Sequence, residues 1–127
     1  MEIPNDLLYT REHEWALVED DVLTVGLTDY AQSELGDVVF VELPEVGDTT
    51  SQNEAFGTIE AVKTVAEMYS PASGEIVEVN NKLDDEPDLI NKDPYGEGWF
   101  IKIKLSDKSE LDSLMKADEY SNLIKKD

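Results

Sequence analysis

Apolar and polar positions alternate over short stretches along most of this chain. "HEWALVE" (His13 to Glu19) and "DVLTVGL" (Asp21 to Leu27) flank an acidic turn, which predicts a β-hairpin. "DVVFVEL" (Asp37 to Leu43) is rich in β-branched and aromatic residues, which suit a pleated surface. "GTIEAV", "VAEMYS", "GEIVEV" and "GWFIKIKL" supply further strands. The runs recur at short spacing with Gly, Pro, Asn and Asp between them, a pattern that predicts a small antiparallel sandwich or barrel.

A helical period appears in two places. "TDYAQSELG" starts at Thr28, a good N-cap, and stops at Gly36. Beyond Ser106, Leu111, Leu114 and Met115 fall at helical spacing, with Ser109 and Asp112 placed as a capping box. Asp118 is placed to cap a last short helix carrying Leu123 and Ile124. Between these regions, Asn80 to Gly98 reads as a long polar connection, in which Pro87, Pro94 and the glycines oppose any continuous helix or strand. Its acidic cluster, Asp84, Asp85, Glu86 and Asp88, lacks the alternating spacing and glycine of an EF-hand and reads as a solvated loop. "GDVVFVELPEVGD" from Gly36 echoes "GEIVEVNNKLDDE" from Gly74, as in a fold of two related halves.

Length and composition narrow the chemistry. The 127 residues suit one domain with a real core. A formal charge of −20 disfavours nucleic acid and anionic membrane surfaces, and favours docking to basic protein patches. With no cysteine and one histidine, His13, a thiol nucleophile and a Cys/His zinc site are excluded, and any Ser-His-Asp triad needs His13. No apolar run approaches the length of a membrane span. The N-terminal "MEIPNDLLYTREHEW" carries no signal or transit pattern, which points to the cytoplasm.

One basic residue then stands out. Lys63 sits between two strand-like apolar runs, Thr58 to Val62 and Val65 to Tyr69, in a stretch whose other charges are Glu60, Glu67, Glu75 and Glu78. Strands so close in sequence need a tight hairpin, which puts Lys63 at an exposed tip. Such a lysine keeps a loop tip solvated. It also suits a covalent cofactor, because a rigid tip presents an amine to a modifying enzyme and lets a long arm reach several partners. Nucleotide binding is ruled out, since Val62 occupies the second glycine position of a P-loop.

The motifs "HEW" (His13 to Trp15), "VGLTDYAQSELGDVVFVELPEVGD" (Val25 to Asp48), "IEAVKTVAEMYSPASGEIVEVN" (Ile59 to Asn80), "LINKDPYGEGWFIKIK" (Leu89 to Lys104) and "SELDSLMKADEY" (Ser109 to Tyr120) cover nearly the whole chain. In these the sequence resembles the glycine cleavage system H proteins. The resemblance implies a mainly β fold of the lipoyl type, a flattened β-barrel or barrel-sandwich hybrid with short helices. It implies a single domain over residues 1–127, with C-terminal helices from about residue 107. It implies lipoate joined by an amide to Lys63, where the family has Glu-Ser-Val-Lys; here Ala61 replaces the serine.

The resemblance also implies a non-catalytic carrier, monomeric when free, with four kinds of partner. A lipoate ligase or lipoyl transferase loads it. Glycine dehydrogenase (decarboxylating) places an aminomethyl group on the arm. The aminomethyltransferase passes the one-carbon unit to tetrahydrofolate, and dihydrolipoyl dehydrogenase reoxidises the dithiol. Glu14, in "HEW", matches the family's arm-sheltering glutamate, although an ordinary surface strand residue fits that position equally. Glu34, where some members have a histidine, and Glu67 are the further arm-sheltering candidates. Three other functions stay open. A lipoate relay would donate lipoyl groups to other lipoyl domains. A biotin carrier would usually frame its lysine as Met-Lys-Met rather than Val62-Lys63-Thr64. An enzyme would have to be built on His13.

Overall fold

In the computed structural model, which describes residues 2–125, two antiparallel sheets face each other across an apolar layer. The larger sheet takes β1 (Leu8–Tyr9), β2 (Glu14–Glu19), β3 (Val22–Leu27), β5 (Thr49–Thr50), β8 (Gly74–Val79) and β9 (Ile101–Leu105). Their order is β1-β2-β3-β9-β8-β5. The smaller sheet takes β4 (Val38–Glu42), β6 (Ala55–Ala61) and β7 (Val65–Tyr69), in the order β4-β6-β7. The sheets share no strand, so this is a flattened sandwich rather than a closed barrel. The two echoing segments open strands of different sheets, β4 in the small one and β8 in the large one.

Alternation explains the layer between the sheets. Leu23 and Val25 of β3, Ile76 of β8 and Ile101 and Ile103 of β9 point inward from the large sheet. Val41, Ile59 and Met68 meet them from the small one. The β2–β3 hairpin turns at Asp20, in left-handed backbone at φ 58°. β2 is covered on both faces: Ala16 joins this main core, while Trp15 joins a second cluster with Leu7, Tyr9, Ala117 and Tyr120. Trp15 fits because Gly26, its cross-strand partner, has no side chain; a β-carbon there would stand 2.5 Å from the indole.

The helices depart from the sequence reading in instructive ways. α1 (Asp29–Leu35) is capped as expected, with Thr28 Oγ1 accepting from the Ala31 N–H and Gly36 ending it at φ 79°. Asn80 to Gly98 is not wholly irregular. It contains two single-turn helices, α2 (Lys82–Asp85) and α3 (Leu89–Lys92), each pinned by one buried apolar residue, Leu83 and Ile90. The segment expected to be α-helical around Leu111 is instead a 3₁₀ helix, Lys108–Ser113, capped by the Asp107 carboxylate rather than by a Ser109–Asp112 box. Met115 lies outside it in an extended bridge to Tyr9, which draws the chain straight. The last helix, α4 (Ala117–Lys125), starts before Asp118. The Glu119 carboxylate reaches back to the Lys116 N–H, the half of a capping box that a glutamate supplies.

Candidate functional site

The β6–β7 hairpin closes at Ala61, whose N–H donates to the Thr64 carbonyl at 2.8 Å. Val62 and Lys63 are the two central residues and both are exposed. Neither has positive φ, so the turn differs from the primed turns usual in two-residue hairpins. It is held from outside instead: the Val62 N–H donates to the Asp37 carbonyl at 3.0 Å, in the joint between α1 and β4. The Lys63 side chain lies along the next residue of that joint, Gly36. A β-carbon at Gly36 would stand 3.3 Å from Lys63 Cε and 3.9 Å from Nζ.

Leu35, the residue before Gly36, lines a cleft of about 310 Å³. Its floor is apolar, formed by Leu27, Leu35, Ile59 and Ala66. Its rim carries three carboxylates, Glu12, Glu34 and Glu67, and two rings, His13 and Tyr30. The His13 and Tyr30 ring centroids are 5.0 Å apart. His13 holds left-handed backbone at φ 73°, a strained state for a non-glycine residue that tertiary contacts must enforce. Two contacts do so. Its Nδ1 is 2.9 Å from the Tyr120 hydroxyl, and its carbonyl accepts from the Thr28 N–H. The same hydroxyl is 2.7 Å from Thr28 Oγ1, the cap of α1. Helix α4 therefore braces both walls of the cleft. An apolar floor with an acidic rim accepts an apolar chain that ends in a cation.

Glu14 is not the surface residue that the strand pattern allowed; it is 1% exposed. Oε1 accepts from the Thr10 hydroxyl at 2.5 Å, and Oε2 accepts from the Tyr69 N–H at 3.1 Å. The carboxylate thus ties β2 to the edge strand β7. Burial pushes it up to about 7, against the opposing pull of its hydrogen bonds to Thr10 and Tyr69. Glu67 and Glu34 do lie on the cleft rim. The Glu67 carboxylate beside the Tyr69 phenol raises it, with Glu12 and Glu14 adding to the effect, so these acids form one electrostatic neighbourhood.

Comparison with known proteins agrees with this geometry. A family model described as glycine cleavage H-protein matches residues 7–127. The chain belongs to that family. It is 52% identical to the glycine cleavage system H protein of Staphylococcus carnosus over 124 residues, covering 98% of each chain. It is 55% identical to that of Halalkalibacterium halodurans over 122 residues, covering 96% of this chain and 95% of the relative. The crystal structure of a glycine cleavage system H protein from Mycobacterium marinum superposes with a TM-score of 0.90 at 42% identity, covering 97% of this chain and 99% of that one. Members of this family are lipoyl carriers of the glycine cleavage system, with lipoate bound covalently to a lysine. Membership separates the chain from biotin carrier domains.

Sequence reasoning missed Glu12, His13 and Tyr30 as cleft residues. For Tyr30 a signal existed: Tyr30 and Glu34 are four apart on α1 and so share a face. For His13 none did, because its direction depends on a left-handed backbone enforced by Tyr120, distant in sequence.

Proposed function

We propose that Lys63 is the lysine to which lipoate is amide-linked, and that the cleft beside α1 receives the loaded arm. One observation carries this reading: Lys63 stands at an exposed hairpin tip with its side chain laid on Gly36, at the end of the helix that walls the cleft. The amide forms between the neutral Lys63 amine and an activated lipoyl carboxyl, with one N–H proton and the activating group leaving. Lipoate supplies the thiol and disulfide chemistry once attached. The chain's own residues bind and orient. The floor of Leu27, Leu35, Ile59 and Ala66 suits a hydrocarbon arm, and Glu67, Glu34 and Glu12 suit a protonated amine carried at its end. Glu14, buried and bonded to the Tyr69 N–H, holds β7, the strand that carries Glu67, against β2.

A place in the glycine cleavage system gives the carrier two partners, the decarboxylating and the aminomethyl-transferring subunits. Its further partners are dihydrolipoyl dehydrogenase and a lipoate ligase or lipoyl transferase. It works as a single domain, as a monomer when free, in the cytoplasm, and without catalytic activity of its own. Intact-mass measurement after incubation with a lipoate ligase tests the attachment. One lipoyl mass on the wild type and none on Lys63→Arg is the expected result, since a guanidinium keeps the charge but does not form this amide. Modification of the variant would overturn it.

A further inference from the structure

Asn91, on the single-turn helix α3, makes three hydrogen bonds, two to the joint that carries the lysine tip and one to Gln32 of α1. Its Nδ2 donates to the Gly36 carbonyl at 2.8 Å and to Gln32 Oε1 at 3.0 Å. Its Oδ1 accepts from the Val38 N–H at 2.9 Å. Behind it, Ile90 is fully buried and fixes α3 in the core. On the other side of the joint stands the hairpin. Gly36 meets the Lys63 side chain, Asp37 accepts from the Val62 N–H, and Val38 pairs with Ala61. Three consecutive residues are therefore clamped between Asn91 and the tip. An asparagine suits the place because the joint offers it a carbonyl and an N–H together, and an amide meets them with a separate donor and acceptor atom.

We infer that Asn91 is a positioning residue for the lipoyl-lysine: it locks Gly36–Val38, and through that joint sets where Lys63 stands relative to the cleft. This rests on Lys63 as the attachment point. The consequence is specific. The Lys63 amine is chemically untouched by changes at Asn91, but its place on the surface, which a loading enzyme must find, is loosened. Asn91 therefore acts on recognition of the tip and leaves the acyl transfer itself unchanged.

Two variants separate this from a purely structural role. Asn91→Asp keeps the acceptor for Val38 and turns a donor toward Gly36 O into a repelling oxygen. Asn91→Ala removes all three bonds. Backbone amide exchange is measured on the unmodified full chain, and ligase kinetics are measured beside a Lys63→Arg control. One lost hydrogen bond corresponds to about a fivefold change. Val62 N–H exchange is expected to rise about five- to tenfold in both variants, and Val38 exchange only in Asn91→Ala. The ligase KM for the carrier is expected to rise about three- to tenfold, with kcat within about twofold of the wild type. Wild-type Val62 exchange in both variants, or an unchanged KM alongside a lowered Tm, would overturn the inference. Modification of Lys63→Arg would instead overturn the attachment site, while the Val62 exchange still reports on the joint.

Discussion

Lys63 rests on Gly36, the one residue of the α1–β4 joint with no side chain to push it away. Gly36 also adopts φ 79° and ψ −158°, a region essentially reserved for glycine. Gly36→Ala thus combines backbone strain with a β-carbon 3.3 Å from Lys63 Cε. The strain costs about 1–3 kcal/mol. Thermal melting is expected to drop by several degrees, and lipoylation to slow, because the lysine must leave its rest. A variant with wild-type melting and wild-type loading would show that the joint does not govern the tip.

Glu14 sets a pH dependence of stability. Its carboxyl is raised from 4.5 to about 7, so between those values the folded chain binds more protons than the unfolded one. The contribution is fully present below 4.5 and is lost as pH rises through 7. Glu14→Gln mimics the protonated form; its carbonyl can face the Tyr69 N–H and its amide the Thr10 hydroxyl. The stability of the variant relative to the wild type is expected to shift in its favour by on the order of 3 kcal/mol from acid to neutral pH. Urea melts at a series of pH values measure this, and parallel curves would refute it.

Tyr120→Phe removes the hydroxyl shared by His13 and Thr28 and keeps the ring, which stacks on Tyr9 at 4.7 Å. Loss of these bonds costs about 1–2 kcal/mol. The loaded arm should also lose its group to water faster, because the His13 ring and the Thr28 hydroxyl each lose a partner. Melting temperature and lifetime of the loaded carrier are read together; a lower Tm with an unaltered lifetime would remove α4 from the account of the cleft.

Glu67 is exposed on the cleft rim, so pairing with a cationic load there would be screened. Glu67→Gln is expected to shorten the lifetime of the loaded form by about two- to fivefold, with little change in Tm. Decay is followed after removal of the decarboxylating subunit. A lifetime equal to that of the wild type would place the load elsewhere.

A net charge of −20 should speed encounter with basic partner surfaces and make the rate salt-dependent. Arm reduction by the decarboxylating subunit is expected to slow as ionic strength rises. A flat profile would count against steering.

Most of the β framework was legible because inward and outward positions alternate in plain view, as at Leu23 and Val25 or Ile101 and Ile103. The caps of α1 were legible too, since Thr28 and Gly36 act through local hydrogen bonds and local backbone freedom. What escaped depends on remote contacts. Glu14 looks like an outward strand carboxylate until β7 arrives with the Tyr69 N–H. Asn91 looks like one more polar residue in a loop until the end of α1 folds against it. The stretch near Leu111 has helical spacing, but the Tyr9–Met115 bridge pulls its end straight. The exposed tip at Lys63 was legible because a hairpin turn is a short-range property.

The hydroxyl of Tyr120 meets His13 across 107 positions of sequence, so the cleft depends on two segments far apart in the chain. The hairpin at Lys63 closes between Ala61 and Thr64, and its joint is held by Asn91 rather than by α4. The tip and the cleft beside it therefore rest on separate supports: loosening α4 would disturb the wall and leave the lysine where it stands.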